Sequence, residues 1–66
     1  MKVANQHKKF DDLNAAVSYL YHDLGWSDDD LKMDRYSRGA DFRATDKTLI
    51  AVWDEQSKTL YLTKDA

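Results

Sequence analysis

Residues 48–63, TLIAVWDEQSKTLYLT, are the stretch whose reading decides the fold. Leu49, Ile50, Ala51, Val52 and Trp53 run without a polar break. Strand side chains alternate between faces, so Leu49, Ala51 and Trp53 are expected on one side and Ile50 and Val52 on the other. A strand apolar on both sides belongs inside a sheet covered on both faces, which makes residues 48–54 the expected central strand. The loop Asp54-Glu55-Gln56-Ser57-Lys58 is polar and holds no Gly, so a hairpin built on a type I turn fits better than a two-residue primed turn. Beyond it Leu60 and Leu62 face one way, and Thr59, Tyr61 and Thr63 the other.

Upstream, residues 10–25 carry the clearest helical pattern. Asp11 or Asp12 is placed to cap the first N–H groups, and Leu13, Ala16, Val17, Leu20 and Leu24 form one apolar stripe. Gly25 suits a left-handed helix ending, with Trp26 folding back on Tyr21. Ser27, Asp30 and the pair Trp26 and Leu31 then look like the cap, capping box and hydrophobic staple of a second helix start. Beyond Leu31 the helical spacing fails, since Met33, Tyr36 and Phe42 do not share a helical face. Residues 32–46 therefore read as a hairpin: a strand over 33–38, a turn at Arg38-Gly39-Ala40, and a return strand over 41–45 with Phe42 and Ala44 inward. A turn around Asp46-Lys47 leads into the central strand. Residues 1–9 are left as an arm or an edge strand, with a short apolar patch at Val3-Ala4. The expectation is an α+β fold, with an N-terminal helix plus a short second helical turn packed on a three- to four-stranded antiparallel β-meander.

The 66 residues form one domain, 1–66, and a chain of that size removes only about 60% of its unfolded surface from water. With no Cys, neither a disulfide framework nor a thiolate metal site supports the thin core, and self-association is the remaining common remedy. Ten basic and twelve acidic residues leave a formal charge of −2, too mixed for an acidic tail and too acidic for a generic phosphate binder. No apolar run approaches the roughly 20 residues of a membrane span, and residues 1–10 lack the apolar region of a signal peptide, so the cytoplasm is the expected compartment.

Candidate chemistry is sparse. Asp28-Asp29-Asp30 offers hard-cation ligands, but the spacing of a calcium loop is absent and helix capping accounts for all three acids. His7 and His22 would have to converge with carboxylates to act as a base or hold zinc, and both read as solvated surface residues. The serines have no nucleophile elbow, and no Gly-rich phosphate loop is present. No catalytic residue, metal or cofactor is expected. Lys32, Arg35, Tyr36, Arg38, Arg43 and Lys47 interleave cations with an aromatic ring, the combination that grips phosphates and stacks bases, although Asp34, Asp41 and Asp46 partly cancel it.

A helix ending in Gly25-Trp26, then Arg35-x-x-x-Gly39-x-x-Phe42, then a strand from Leu49 to Val52 resembles the small HicA-type toxins. That resemblance, covering residues 25–52, implies a double-stranded-RNA-binding-like fold and, through the family's Gly-Ser-His motif, RNA cleavage. Gly39-Ala40-Asp41 stands where the family has its catalytic His, and residues 60–62 read as a strand where the family ends in a helix. The ribonuclease activity is therefore not carried over.

The stripe of the residue 10–25 helix shields one sheet face only. A second apolar face needs another chain to cover it, because patches of that kind mark interaction sites. The expected function is stoichiometric protein binding, by a small non-enzymatic regulator or inhibitor that contacts another protein or a copy of itself through Ile50, Val52, Trp53 and Tyr61. In size and composition it is similar to compact phage-encoded counter-defence proteins. The alternative is a nucleic-acid or nucleotide binder using Lys32, Arg35, Tyr36, Arg38 and Arg43.

Overall fold

The computed structural model describes residues 6–66. The chain runs β1 (Gln6–Lys9), α1 (Leu13–Ser18) continued by a π-helical turn (Tyr19–Asp23), β2 (Leu31–Tyr36), β3 (Gly39–Ala44), β4 (Leu49–Asp54) and β5 (Thr59–Leu62). The strands form one antiparallel sheet in the order β1-β5-β4-β3-β2, with β4 in its centre as its unbroken apolar run implies. The fold is α+β. It has five strands rather than three or four because residues 6–9 pair with β5 as an edge strand. The Val3-Ala4 patch lies outside the described residues.

Asp12 begins the helix in extended conformation, its carboxylate accepting from the Ala15 N–H at 2.9 Å. Ala16 and Leu20 are sealed on the sheet, and Leu13, Val17 and Leu24 pack around them, so the stripe lies where its spacing predicts. The last turn widens: the Leu24 N–H reaches the Tyr19 carbonyl five residues back, and Gly25 closes the helix at φ +82°. The expected second helix is a single hydrogen-bonded turn. The Ser27 carbonyl accepts from the N–H groups of Asp30 and Leu31, and the Ser27 hydroxyl donates to Asp30 at 3.0 Å. It stops there because Leu31 is buried and already paired with Ala44 as the first residue of β2.

Ser37 and Arg38 alone connect β2 to β3, so the turn begins one residue earlier than predicted and Gly39 and Ala40 belong to the return strand. Gly39 is the first residue of β3 and passes so close to β4 that a Cβ there would lie 1.8 Å from the Trp53 carbonyl oxygen. Only glycine permits that approach.

The β3–β4 register contains the main departure from simple alternation. Phe42 faces Ala51 and Arg43 faces Leu49, so Ile50 is an extra residue with no partner on β3. A bulge of this kind resets which way side chains point. Ile50 and Ala51 both enter the core, while Leu49 turns to the opposite face beside Arg43. The expected split, with Ile50 and Val52 together, is thereby corrected. Thr63 ties the bulge down: its N–H donates to the Ile50 carbonyl at 3.0 Å, and its hydroxyl lies 2.8 Å from the Leu49 carbonyl and 3.0 Å from that of Ile50.

Candidate functional site

Helix and turn cover the sheet face built from Ala40, Phe42, Ala51, Trp53, Leu60 and Leu62. The other face carries no layer of the described chain. Opposed residues in an antiparallel ladder share a face, so the register assembles that surface row by row. Its middle row runs His7, Tyr61, Val52, Asp41, Asp34 across all five strands. A second row runs Lys9, Thr59, Asp54, Gly39, Tyr36, and a shorter third contains Leu49, Arg43 and Lys32.

Tyr61 and Tyr36 are the large rings of this surface, 46% and 48% exposed. Between them lies a shallow trough of about 440 Å³, bordered also by Val52, Arg38, Asp54 and Gln56. A smaller depression flanks Tyr61 on its other side, where His7 and Val52 meet the strand. The His7 and Tyr61 rings lie 6.1 Å apart and tilted by 44°. The result is an aromatic ridge with apolar Val52 at its foot and charge around the rim.

The predicted contact residues divide. Val52 and Tyr61 are direct cross-strand partners on the open face. Ile50 and Trp53 are each only 1% exposed, sealed under the helix, and present no side-chain surface to a partner. The bulge accounts for Ile50. Trp53 follows strict alternation from Ala51, and its indole N–H donates to Glu55 at 2.9 Å. The basic set divides as well: Lys32, Tyr36 and Arg43 share the open face and Arg38 borders the trough, but Arg35 pairs with Ala40 on the helix side.

Electrostatics fix the rim. The Tyr36 hydroxyl donates to Asp41 at 2.9 Å, and Asp41 lies 3.8 Å from Arg43. That hydrogen bond, with the negative charges of Asp41 and Asp54 nearby, holds the Tyr36 hydroxyl above its ordinary pKa. At the β4–β5 turn Lys58 donates to Glu55 at 2.6 Å, which lowers the carboxyl and raises the ammonium. Asp28 accepts from the Tyr21 hydroxyl at 2.5 Å, and Asp30 is engaged by Ser27, so two of the three consecutive acids serve local hydrogen bonds. His22 stands exposed in the π-helical turn, on the helix layer, whereas His7 stands on the open face; the two do not converge.

Sequence reasoning missed Leu49 and His7 as members of the open face. His7 was legible only once β1 was known to pair with β5, and no residue type announces the bulge that turned Leu49 outward. No family model matches the chain, and no curated protein or solved structure matches it significantly. The likeness to HicA-type toxins also fails at the fold, because residues 59–62 form β5, a strand in place of that family's last helix.

Proposed function

We propose that this protein acts without catalysis, by stoichiometric binding of another protein through the open face of its sheet. The observation that supports the reading is the placement of Tyr61 and Tyr36 beside Val52 on a surface that the described chain leaves bare. Tyrosine is enriched at interface cores because its ring contributes wide contact area while its hydroxyl tolerates water in the free state. The mixed charges of Asp34, Asp41, Arg43, Lys32 and Lys9 form the polar rim such interfaces have. Acting so, the protein serves as a small regulator or inhibitor that occludes its target, in the manner of phage counter-defence proteins, and works in the cytoplasm. No helix of the described residues is long and apolar enough to cross a membrane, which accords with action outside the bilayer.

The test immobilises the wild-type chain together with Tyr61→Ala and Val52→Asp variants and captures protein from cells of its source. One protein is expected to be retained by wild type at moderate salt and after nuclease treatment, and lost from both variants while their circular dichroism stays native. A protein retained equally by all three would overturn the reading. So would retention that disappears with nuclease, because phosphate contacts through Lys32 and Arg43 would then be the binding chemistry.

A further inference from the structure

β2 is an edge of the sheet, with β3 on its inner side and no strand on its outer side among the described residues. Tyr36 and Gly39 flank the two-residue loop as a register pair. Such a pair exchanges both backbone hydrogen bonds, and bonded pairs alternate along an antiparallel ladder. Tyr36, Asp34 and Lys32 therefore direct their N–H and C=O groups to β3, and Arg35 and Met33 direct theirs outward, as Leu31 does its carbonyl, while the Leu31 N–H is held by the Ser27 carbonyl at 3.0 Å.

The charges of β2 suit a neighbour other than β3. Lys32 stands opposite Arg43 and Asp34 opposite Asp41, like charge against like in both rows. Among the described residues neither Lys32 nor Asp34 forms an ion pair. Met33, on the helix-side face next to buried Phe42, is 44% exposed, one of the few large apolar side chains left so open.

We propose that two copies of the chain join through β2, antiparallel about a twofold axis at Met33, to give one continuous ten-stranded sheet. The register follows from the residues. Opposed residues share a face, so a symmetric pairing of this strand centres on a residue. A centre at Lys32 or Asp34 sets that residue against its own like charge. A centre at Met33 sets Lys32 against the second copy's Asp34 and Asp34 against the second copy's Lys32, so each charge left mismatched within the chain meets its opposite. It also places Met33 against its own copy, and it uses the outward N–H and C=O groups of Met33, the Arg35 N–H and the Leu31 carbonyl in both copies. The opposite edge differs: His7, Lys8 and Lys9 follow one another on β1, the basic clustering that keeps an edge unpaired. Lys32 and Asp34 stand at the rim of the open face proposed to hold a target, but the pairing uses neither Tyr61 nor Val52, whose variants test that reading, so each stands or falls separately.

The test is sedimentation equilibrium of the full chain. Wild type is expected at twice the 7.7 kDa chain mass. Lys32→Asp and Asp34→Lys each turn both interchain pairs repulsive and raise the dissociation constant by about tenfold or more. An equimolar mixture of those two variants is complementary again and recovers the dimer, as does the double variant Lys32→Asp/Asp34→Lys, whose recovery separates lost pairing from lost folding. A wild type that remains monomeric at about 500 μM overturns the proposal, as do single variants that dimerise like wild type or a mixture that stays monomeric.

Discussion

The two faces of this sheet are made by the same strands and do opposite things. On the helix side Trp53 of β4 sits between Ala40 of β3 and Leu60 of β5, closed over by the layer of Ala16 and Leu20. One residue earlier on the same strand, Val52 sits between Asp41 and Tyr61 with no layer of the described residues above it. A chain of 66 residues can roof one face of a five-stranded sheet, and a second layer is what turns a face into a core. Stability is thus concentrated on one side, which leaves the other side free for the contact role proposed for it.

The sharpest way to break that comparison is to truncate one large ring on each side. Trp53→Ala opens a cavity under the helix and removes the indole's hydrogen bond to Glu55, at a cost of about 3–5 kcal/mol. A domain this small has roughly 3–10 kcal/mol in hand, so much of the population is expected to unfold at room temperature. Tyr61→Ala removes an exposed ring whose tilted contact with His7 contributes about 0.2–1 kcal/mol, and its urea midpoint should fall only slightly. Urea melts followed by far-ultraviolet circular dichroism check both. Equal losses would mean that the open face also supports the fold.

A smaller effect concerns the residue that assigns Ile50 to its side. The bulge removes the β3 partner of Ile50, and the Thr63 hydroxyl serves the carbonyls of Leu49 and Ile50 there. Thr63→Val keeps the shape and deletes the donor, and is expected to cost about 1 kcal/mol, with Thr63→Ser restoring most of it. If the bulge held its place through burial of Ile50 alone, the two variants would melt together.

These contacts also explain what the sequence made legible. The helix stripe, its aspartate cap (Asp11 or Asp12 by sequence, Asp12 in the structure), its Gly25 ending, the central position of β4 and the Leu60/Leu62 alternation all follow from local periodicity and capping chemistry, which residue types state directly. The bulge at Ile50 does not, because it is a property of how two strands are matched, and Leu49-Ile50-Ala51 reads identically with or without it. Pairing of β1 with β5 joins residues fifty or more positions apart and was equally out of reach of local pattern. The candidate site inherited both gaps: of the expected contact residues Val52 and Tyr61 lie on the open face, Ile50 and Trp53 are buried, and His7, read only as a solvated surface residue, stands beside Tyr61.

The finest distinction between the faces is electrostatic, and Tyr36 reports it. Its hydroxyl donates to Asp41 on the open face, and ionisation would forfeit that bond while setting a phenolate near the Asp41 and Asp54 carboxylates. The folded value therefore lies above the ordinary 10.0, and the sign follows: a raised folded pKa adds stability that is fully present below pH 10.0 and is lost as pH climbs through the folded value. Asp41→Ala removes the cause, so in the alkaline tyrosinate titration Tyr36 should ionise earlier while Tyr21, raised by its own hydrogen bond to Asp28, stays late, and the small stability gap between the two proteins should close above the folded pKa of Tyr36. The bond is solvent-exposed, so the gap should also be the smallest of the effects argued above. Should the two titrations superimpose, the Tyr36 ring is not held by Asp41, and the trough between Tyr36 and Tyr61 loses one of its two fixed walls.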